Sequence, residues 1–247
     1  MRSSSPPTLR FLSPTSSQRW LAGGLVALGC LGLLAIPLDL PLARRIDSRV
    51  LSGDLRHFFY LCEVFGHGTG VILIITAICL LAKSYRPRVP RVVLGVVLAG
   101  LIANSLKITI ARVRPNHFFE FYDRSVSSWV SLCTWLDPLT QFSLNTANAS
   151  QSFPSGHSAT AAAFAVGLVW LLGRGHLYFA GLAFLACFQR VLFQYHWPSD
   201  AMVGAAIGGL TMMLVIHSSR IATAFQRWEK PASPTALPLN NNQRSAA

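Results

Sequence analysis

Six apolar runs constrain this chain more than any other feature: roughly 20–38, 63–82, 92–111, 157–173, 176–194 and 200–218. Each is close to the ~20 residues that a helix needs to cross ~30 Å of hydrocarbon at ~1.5 Å per residue. In hydrocarbon every backbone N–H and C=O has to be satisfied within the segment, so runs of this length fold as helices. Only 12% of the 247 residues are charged and 52% are hydrophobic, about half the charge usual in a soluble domain. The expected fold class is all-α, a six-transmembrane-helix bundle. Arg2, Arg10 and Arg19 precede the first run, as they would a signal peptide. That run nevertheless continues to Leu38 without a clear small-residue cleavage site, so a retained helix is expected.

The formal net charge of +12 is partitioned by side. With a cytoplasmic N-terminus and six crossings, the cytoplasmic segments hold 12 of the 21 basic residues and one acid, Glu229. The outer segments and outer span ends hold the other 9 basic residues and 8 of the 9 acids. This is the positive-inside pattern, so the basic balance reports topology and anionic headgroups, with no nucleic-acid partner implied. Five cysteines at 30, 62, 79, 133 and 187 show no metal-finger spacing. Cys62 and Cys133 both fall on the outer side, where a disulfide is permitted.

The flanks differ from the core. Residues 1–18 and 220–247 read as disordered tails around a membrane domain at 19–219. In the outer connection 39–62, Arg44, Arg45, Arg49 and Arg56 alternate with Asp39, Asp47 and Asp54. That predicts an interfacial helix with a solvated charged face and no chemistry. The link 116–153 carries Phe118, Phe119, Phe121, Tyr122, Trp129, Trp135 and Phe142, which predicts short helices along the membrane interface.

Chemistry gathers at one face. Pro154-Ser155-Gly156-His157 precedes an apolar run and reads as a capped helix start, whose free N–H groups and dipole suit an anion. Lys107 and Arg114 are seven residues apart, two turns along the outer end of the third helix, which Pro115 closes. Arg190 lies near the outer end of the fifth, and His196-Trp197-Pro198-Ser199-Asp200 leads into the sixth. Bringing one charge into a bundle interior costs roughly 2–3 kcal/mol. Three cations meeting there call for a multivalent anion. His67, near the outer end of the second span, has two readings, a border of the pocket and, preferred, a helix-packing role. His117, His176 and His217 are given no role, and the alanines at 159 and 161–163 read as a close helix-packing face.

Lys107-x6-Arg114-Pro115, then Pro154-Ser155-Gly156-His157, then Arg190-x5-His196-x3-Asp200 resembles the three-part signature of the type 2 phosphatidic acid phosphatase family, whose superfamily includes vanadium haloperoxidases. The core would span about 64–218. One departure is Gln189, where the family usually has serine. The resemblance implies an integral membrane phosphatase that acts on a lipid phosphate. Candidate substrates are phosphatidic acid, phosphatidylglycerol phosphate, a polyprenyl pyrophosphate and the phosphates of lipid A. It implies that Lys107, Arg114, Ser155, Gly156 and Arg190 bind the phosphoryl group. His196 would be the nucleophile forming a phosphohistidine, oriented by Asp200 through the second ring nitrogen. His157 would be the acid and base. Of the two histidines, only His196 has a carboxylate at a local spacing that can orient it. No metal or cofactor is implied. The setting is a multi-pass cell membrane, of the bacterial inner-membrane kind, with the site facing the periplasm or exterior. Other readings are a lipid phosphotransferase using the same phosphohistidine, a metal hydrolase using His157, His196 and Asp200, and a transporter. Against a transporter, the polar groups cluster at one face and no span is broken at mid-membrane.

Overall fold

The computed structural model describes residues 16–46, 51–121 and 151–229. Among the described residues ten α-helices are formed: α1 (Ser16–Leu34), α2 (Asp39–Arg45), α3 (Gly53–Cys62), α4 (Gly68–Leu81), α5 (Val89–Thr109), α6 (Pro115–Phe121), α7 (Gly156–Leu172), α8 (His176–Leu192), α9 (Pro198–His217) and α10 (Ser219–Glu229). Short 3-10 turns at Ile36–Leu38, Glu63–Gly66 and Lys83–Arg88 join some of them. Among the described residues there is no strand, only one isolated bridge between Arg112 and Gln151. The fold is all-α.

Helix α7 is central and packs on α9, α5 and α8, with α1 against the far side of α9. The closeness of α7 and α9 follows from their small residues. A Cβ at Gly208 would overlap the Ala159 carbonyl, and one at Gly204 would strike the Ser155 carbonyl. Ala159, Ala161 and Ala163 are fully buried. Small residues let helices approach almost backbone to backbone, and van der Waals contact then holds them without polar groups. Outward faces are apolar in contrast: Ile72, Leu73, Leu80, Leu101, Phe184 and Leu214 are each more than half exposed.

Each expected apolar run falls on a helix, though not always as drawn. Among the described residues three helical stretches are long and apolar enough to cross a membrane: Ser16–Leu34, Lys83–Thr109 and Pro198–His217. The pair Gly53–Gly66 and Gly68–Leu81 is bent by 70°, so the second run is regular helix only from Gly68. The bend sits at His67, whose backbone is extended and whose ring caps α4 by accepting from the Thr69 N–H at 3.3 Å. Helices α7 and α8 are apolar but 17 residues each.

Three sequence-based expectations need correction. Helix α5 stops at Thr109, and Pro115 opens α6 in place of closing α5. Proline suits a first turn because its missing N–H has no partner there. Residues 219–229, expected as tail, form α10: Ile221, Ala222, Phe225 and Trp228 recur at helical spacing, and Glu229 pairs with Arg91. Asp39, expected on a solvated face, is fully buried. The expected tails at 1–15 and 230–247, most of the aromatic link (122–150) and Cys133 lie outside the described residues.

Candidate active site

The ends of α5, α7, α8 and α9 that carry the predicted site residues lie together at one end of the bundle. Ser155 is the N-cap of α7: extended at φ −69°, ψ 114°, it accepts from the Ser158 N–H at 3.3 Å and the Ser158 hydroxyl at 3.0 Å. Its own N–H donates to the Asp200 carbonyl at 3.0 Å, which ties the α7 start to the first turn of α9. Gly156 is the first residue of α7, and a Cβ added there would lie 3.6 Å from Lys107 Nζ. The missing side chain leaves the space between that ammonium and the helix N-terminus open.

Lys107, on the last turn of α5, is 8% exposed and has no acidic partner within ion-pair distance among the described residues. Arg114 does not share its helix, contrary to the two-turn expectation. After Thr109 the chain leaves the helix, and Arg112 in this stretch is fully buried in ion pairs with Asp39 and Asp200. The Arg114 Nε is buried without a hydrogen-bond partner among the described residues. Burial and the nearby Arg190 charge push the Arg114 guanidinium below its usual range. Arg190, on α8, is 6% exposed and stacks 4.4 Å from the Tyr195 ring centroid.

His196 lies in the α8–α9 link, outside the helices. Gln194 before it adopts φ 57°, and its side-chain amide donates to the carbonyls of Ala43 and Ile46, both at 2.8 Å. The N–H groups of Tyr195 and His196 both return to the Arg190 carbonyl, which fixes the turn. The ring is 1% exposed, and Nδ1 is 2.7 Å from the Ser152 carbonyl. A carbonyl only accepts, so Nδ1 carries the proton and Nε2 keeps a free lone pair. Burial pushes His196 down to about 4, so the ring is neutral at physiological pH.

Asp200 is not the direct partner that its spacing suggested. Its Oδ2 is 3.7 Å from His196 Nδ1 and accepts instead from the Ser152 hydroxyl and, at 3.0 Å, from the Trp197 N–H. Its Oδ1 pairs with Arg112, which also pairs with Asp39 at 2.7 Å. Ser199 joins the same unit through its hydroxyl and N–H to Asp39. All four side chains are fully buried. Sequence reasoning missed Arg112, Asp39, Ser152 and Ser199. Arg112 lies two residues before Arg114 in an apolar setting, where a charge is expensive unless it is paired, and that cost was the available signal.

The second omission was Glu63. His157, the second residue of α7, has its Nε2 3.2 Å from Glu63 Oε1, and Arg190 Nη1 is 2.8 Å from the same oxygen. So His157, too, has a carboxylate neighbour, supplied by a distant segment. His67, for which packing is the preferred of two readings from sequence, has its ring centroid 5.6 Å from that of His157 and borders the cluster. His117 is elsewhere, paired with Glu120. Among the described residues no three His, Cys, Asp or Glu side chains are grouped to hold a metal ion.

Lys107, Arg114 and Arg190, a helix N-terminus and two histidines thus converge. The family model of the PAP2 superfamily matches residues 88–223, more than half of the chain and all of these residues but Glu63, His67 and Asp39. The chain belongs to the PAP2 superfamily. Within it, the chain is similar to lipid A 1-phosphatases of Rhizobium etli (36% identical, covering 53% of this chain and 50% of the relative) and Rhizobium johnstonii (33%, covering 53% and 48%). It is also 26% identical to the probable lipid phosphate phosphatase 4 of Arabidopsis thaliana, over 72% of this chain and 66% of that one. The chain spans about half the length of the Rhizobium relatives that it matches. The crystal structure of Aquifex aeolicus LpxE shares this PAP2 fold at TM-score 0.54 and 23% identity, covering 72% of this chain and 94% of that one.

Proposed function

We propose that this PAP2 protein is a metal-independent lipid phosphatase working through a phosphohistidine. The observation that carries this reading is the buried cationic seat: Lys107, with no acidic partner within ion-pair distance among the described residues, faces the open N-terminus of α7 beside Arg114 and Arg190. Lys107, Arg114, Arg190 and the N–H groups of Gly156 and His157 hold the nonbridging phosphoryl oxygens. His196 attacks phosphorus through Nε2 as the ester P–O bond breaks, while its Nδ1–H stays on the Ser152 carbonyl. His157 gives a proton to the leaving alkoxide. It then takes one from the water that breaks the P–N bond, which releases inorganic phosphate and restores His196. Asp200 and the Arg112 unit brace this arrangement, and Ser155 shapes the cradle as a cap.

The substrate is a lipid phosphate, with the phosphate of a lipid A-type glycolipid favoured by the names of the Rhizobium relatives. An apolar cavity of about 610 Å³ between α1, α8 and α9 supports a lipid ligand, since its wall includes Pro198 and Ala201 on the same turn as Asp200. The six apolar helices cross the membrane within residues 19–219, with both termini cytoplasmic and the seat at the outer face. The exposed apolar belt and the charge partition support this orientation. Phosphate release from a panel of lipid phosphates by the purified protein, with and without chelator, tests the proposal. Chelator-resistant release from lipid A or another lipid phosphate is expected, and release from none, or only with added metal, contradicts it.

A further inference from the structure

Glu63 opens the 3-10 turn that precedes the bend at His67, at the cationic end of the bundle. One of its oxygens lies between Arg190 Nη1 and His157 Nε2, and the other is 3.5 Å from the Gln189 amide nitrogen. It therefore lies in ion-pair range of the two groups that the proposed reaction assigns to a phosphoryl group and its leaving oxygen, although His157 Nε2 makes no hydrogen bond to it among the described residues. Its setting differs from that of the other buried acids. Asp39 and Asp200 are 0% exposed and locked on Arg112, whereas the Glu63 side chain is 29% exposed and can be solvated without leaving a charge stranded. Gln189, the departure from the family's usual serine, has the reach to meet the second oxygen.

We infer that Glu63 is a displaceable internal anion: it holds Arg190 and His157 in place in the empty seat and yields to the arriving oxyanion. Its charge thereby sets how tightly the site binds phosphate. This rests on the phosphoryl-seat reading above. A phosphate dianion on Arg190 would lie at contact distance from a Glu63 that stayed, and like charges at that range in a partly desolvated site repel strongly. Binding is accordingly weaker than the bare cradle would give, and the returning carboxylate helps to expel the product.

Calorimetric titration of the full-length protein with orthovanadate and with inorganic phosphate tests this. Glu63→Gln, nearly isosteric but neutral, should bind both anions about tenfold more tightly, with KM falling and kcat falling as phosphate leaves more slowly. Glu63→Asp keeps the charge and should stay within about twofold of the parent. Glu63→Ala gives the same expectation as Gln if the Gln variant does not fold. Equal or weaker anion binding in the neutral variants would overturn the inference and make Glu63 a fixed brace. Failure of the parent and of every variant to bind either anion would instead remove the phosphoryl seat, and the inference with it.

Discussion

The two histidines of the site face the same small volume but stand in opposite surroundings. His196 is backed by a unit without solvent: a backbone carbonyl on Nδ1, then Ser152, Asp200, Arg112, Asp39 and Ser199, every side chain fully buried and hydrogen-bonded. His157 is backed by one carboxylate, about a third exposed, that it shares with Arg190. A group that attacks needs one tautomer at every turnover, so its supports have to be rigid. A group that gives and takes a proton has to change partners, so its support is one that can move. On the roles proposed above, the difference separates permanent scaffold from replaceable ligand within a single cluster of charges.

The comparison can be broken at several points. The largest effect is expected for Asp200→Asn, which weakens both the Arg112 pairing and the Ser152 hydroxyl bond that fix the His196 ring. The hold of Asp200 on the ring is indirect, through Ser152, so turnover should fall about 10³-fold, short of the ~10⁴ for a directly bonded Asp–His pair, with substrate affinity nearly unchanged. Steady-state kinetics on one lipid phosphate would check this. Next is Arg112→Leu, which leaves Asp39 and Asp200 buried without their cation. Loss of about 3–5 kcal/mol of stability is expected, read by thermal or denaturant unfolding in detergent. Glu63→Gln should change stability by less than about 1 kcal/mol, as a partly exposed pair does. A similar cost for both would erase the distinction between scaffold and ligand. Arg190→Lys sharpens the other side, since it exchanges a planar fork for a point charge. Activity should fall about 10²-fold, as for loss of one transition-state donor. Near-normal activity would make Arg190 a stacking residue on Tyr195.

Much of this architecture was legible in the residues, for physical reasons. Apolar runs of the right length dictate helices. Ser155 ahead of Gly156 dictates a cap, and Pro198 a first turn, so these two helix starts could be placed from local chemistry alone. Arg114 was misplaced because spacing alone cannot reveal that the helix ends at Thr109, ahead of an Arg112 paired with acids distant in sequence. Asp39 and Glu63 were missed because their partners are far away in sequence. Charge alternation around Asp39 resembles a solvated face until tertiary packing buries it. For Glu63 the available signal was its position: a lone carboxylate at the mouth of an apolar run is expensive unless it is paired.

The central claim is that His196 carries the phosphoryl group and His157 moves the proton. The direct measurement is rapid quenching with a radiolabelled aryl phosphate whose phenol leaves without a proton, followed by mapping of acid-labile label. The proposal predicts label on the peptide containing His196, accumulation of that label in His157→Ala because no group activates the clearing water, and none in His196→Ala. Label that persists in His196→Ala, or its absence from His157→Ala, would contradict the assignment.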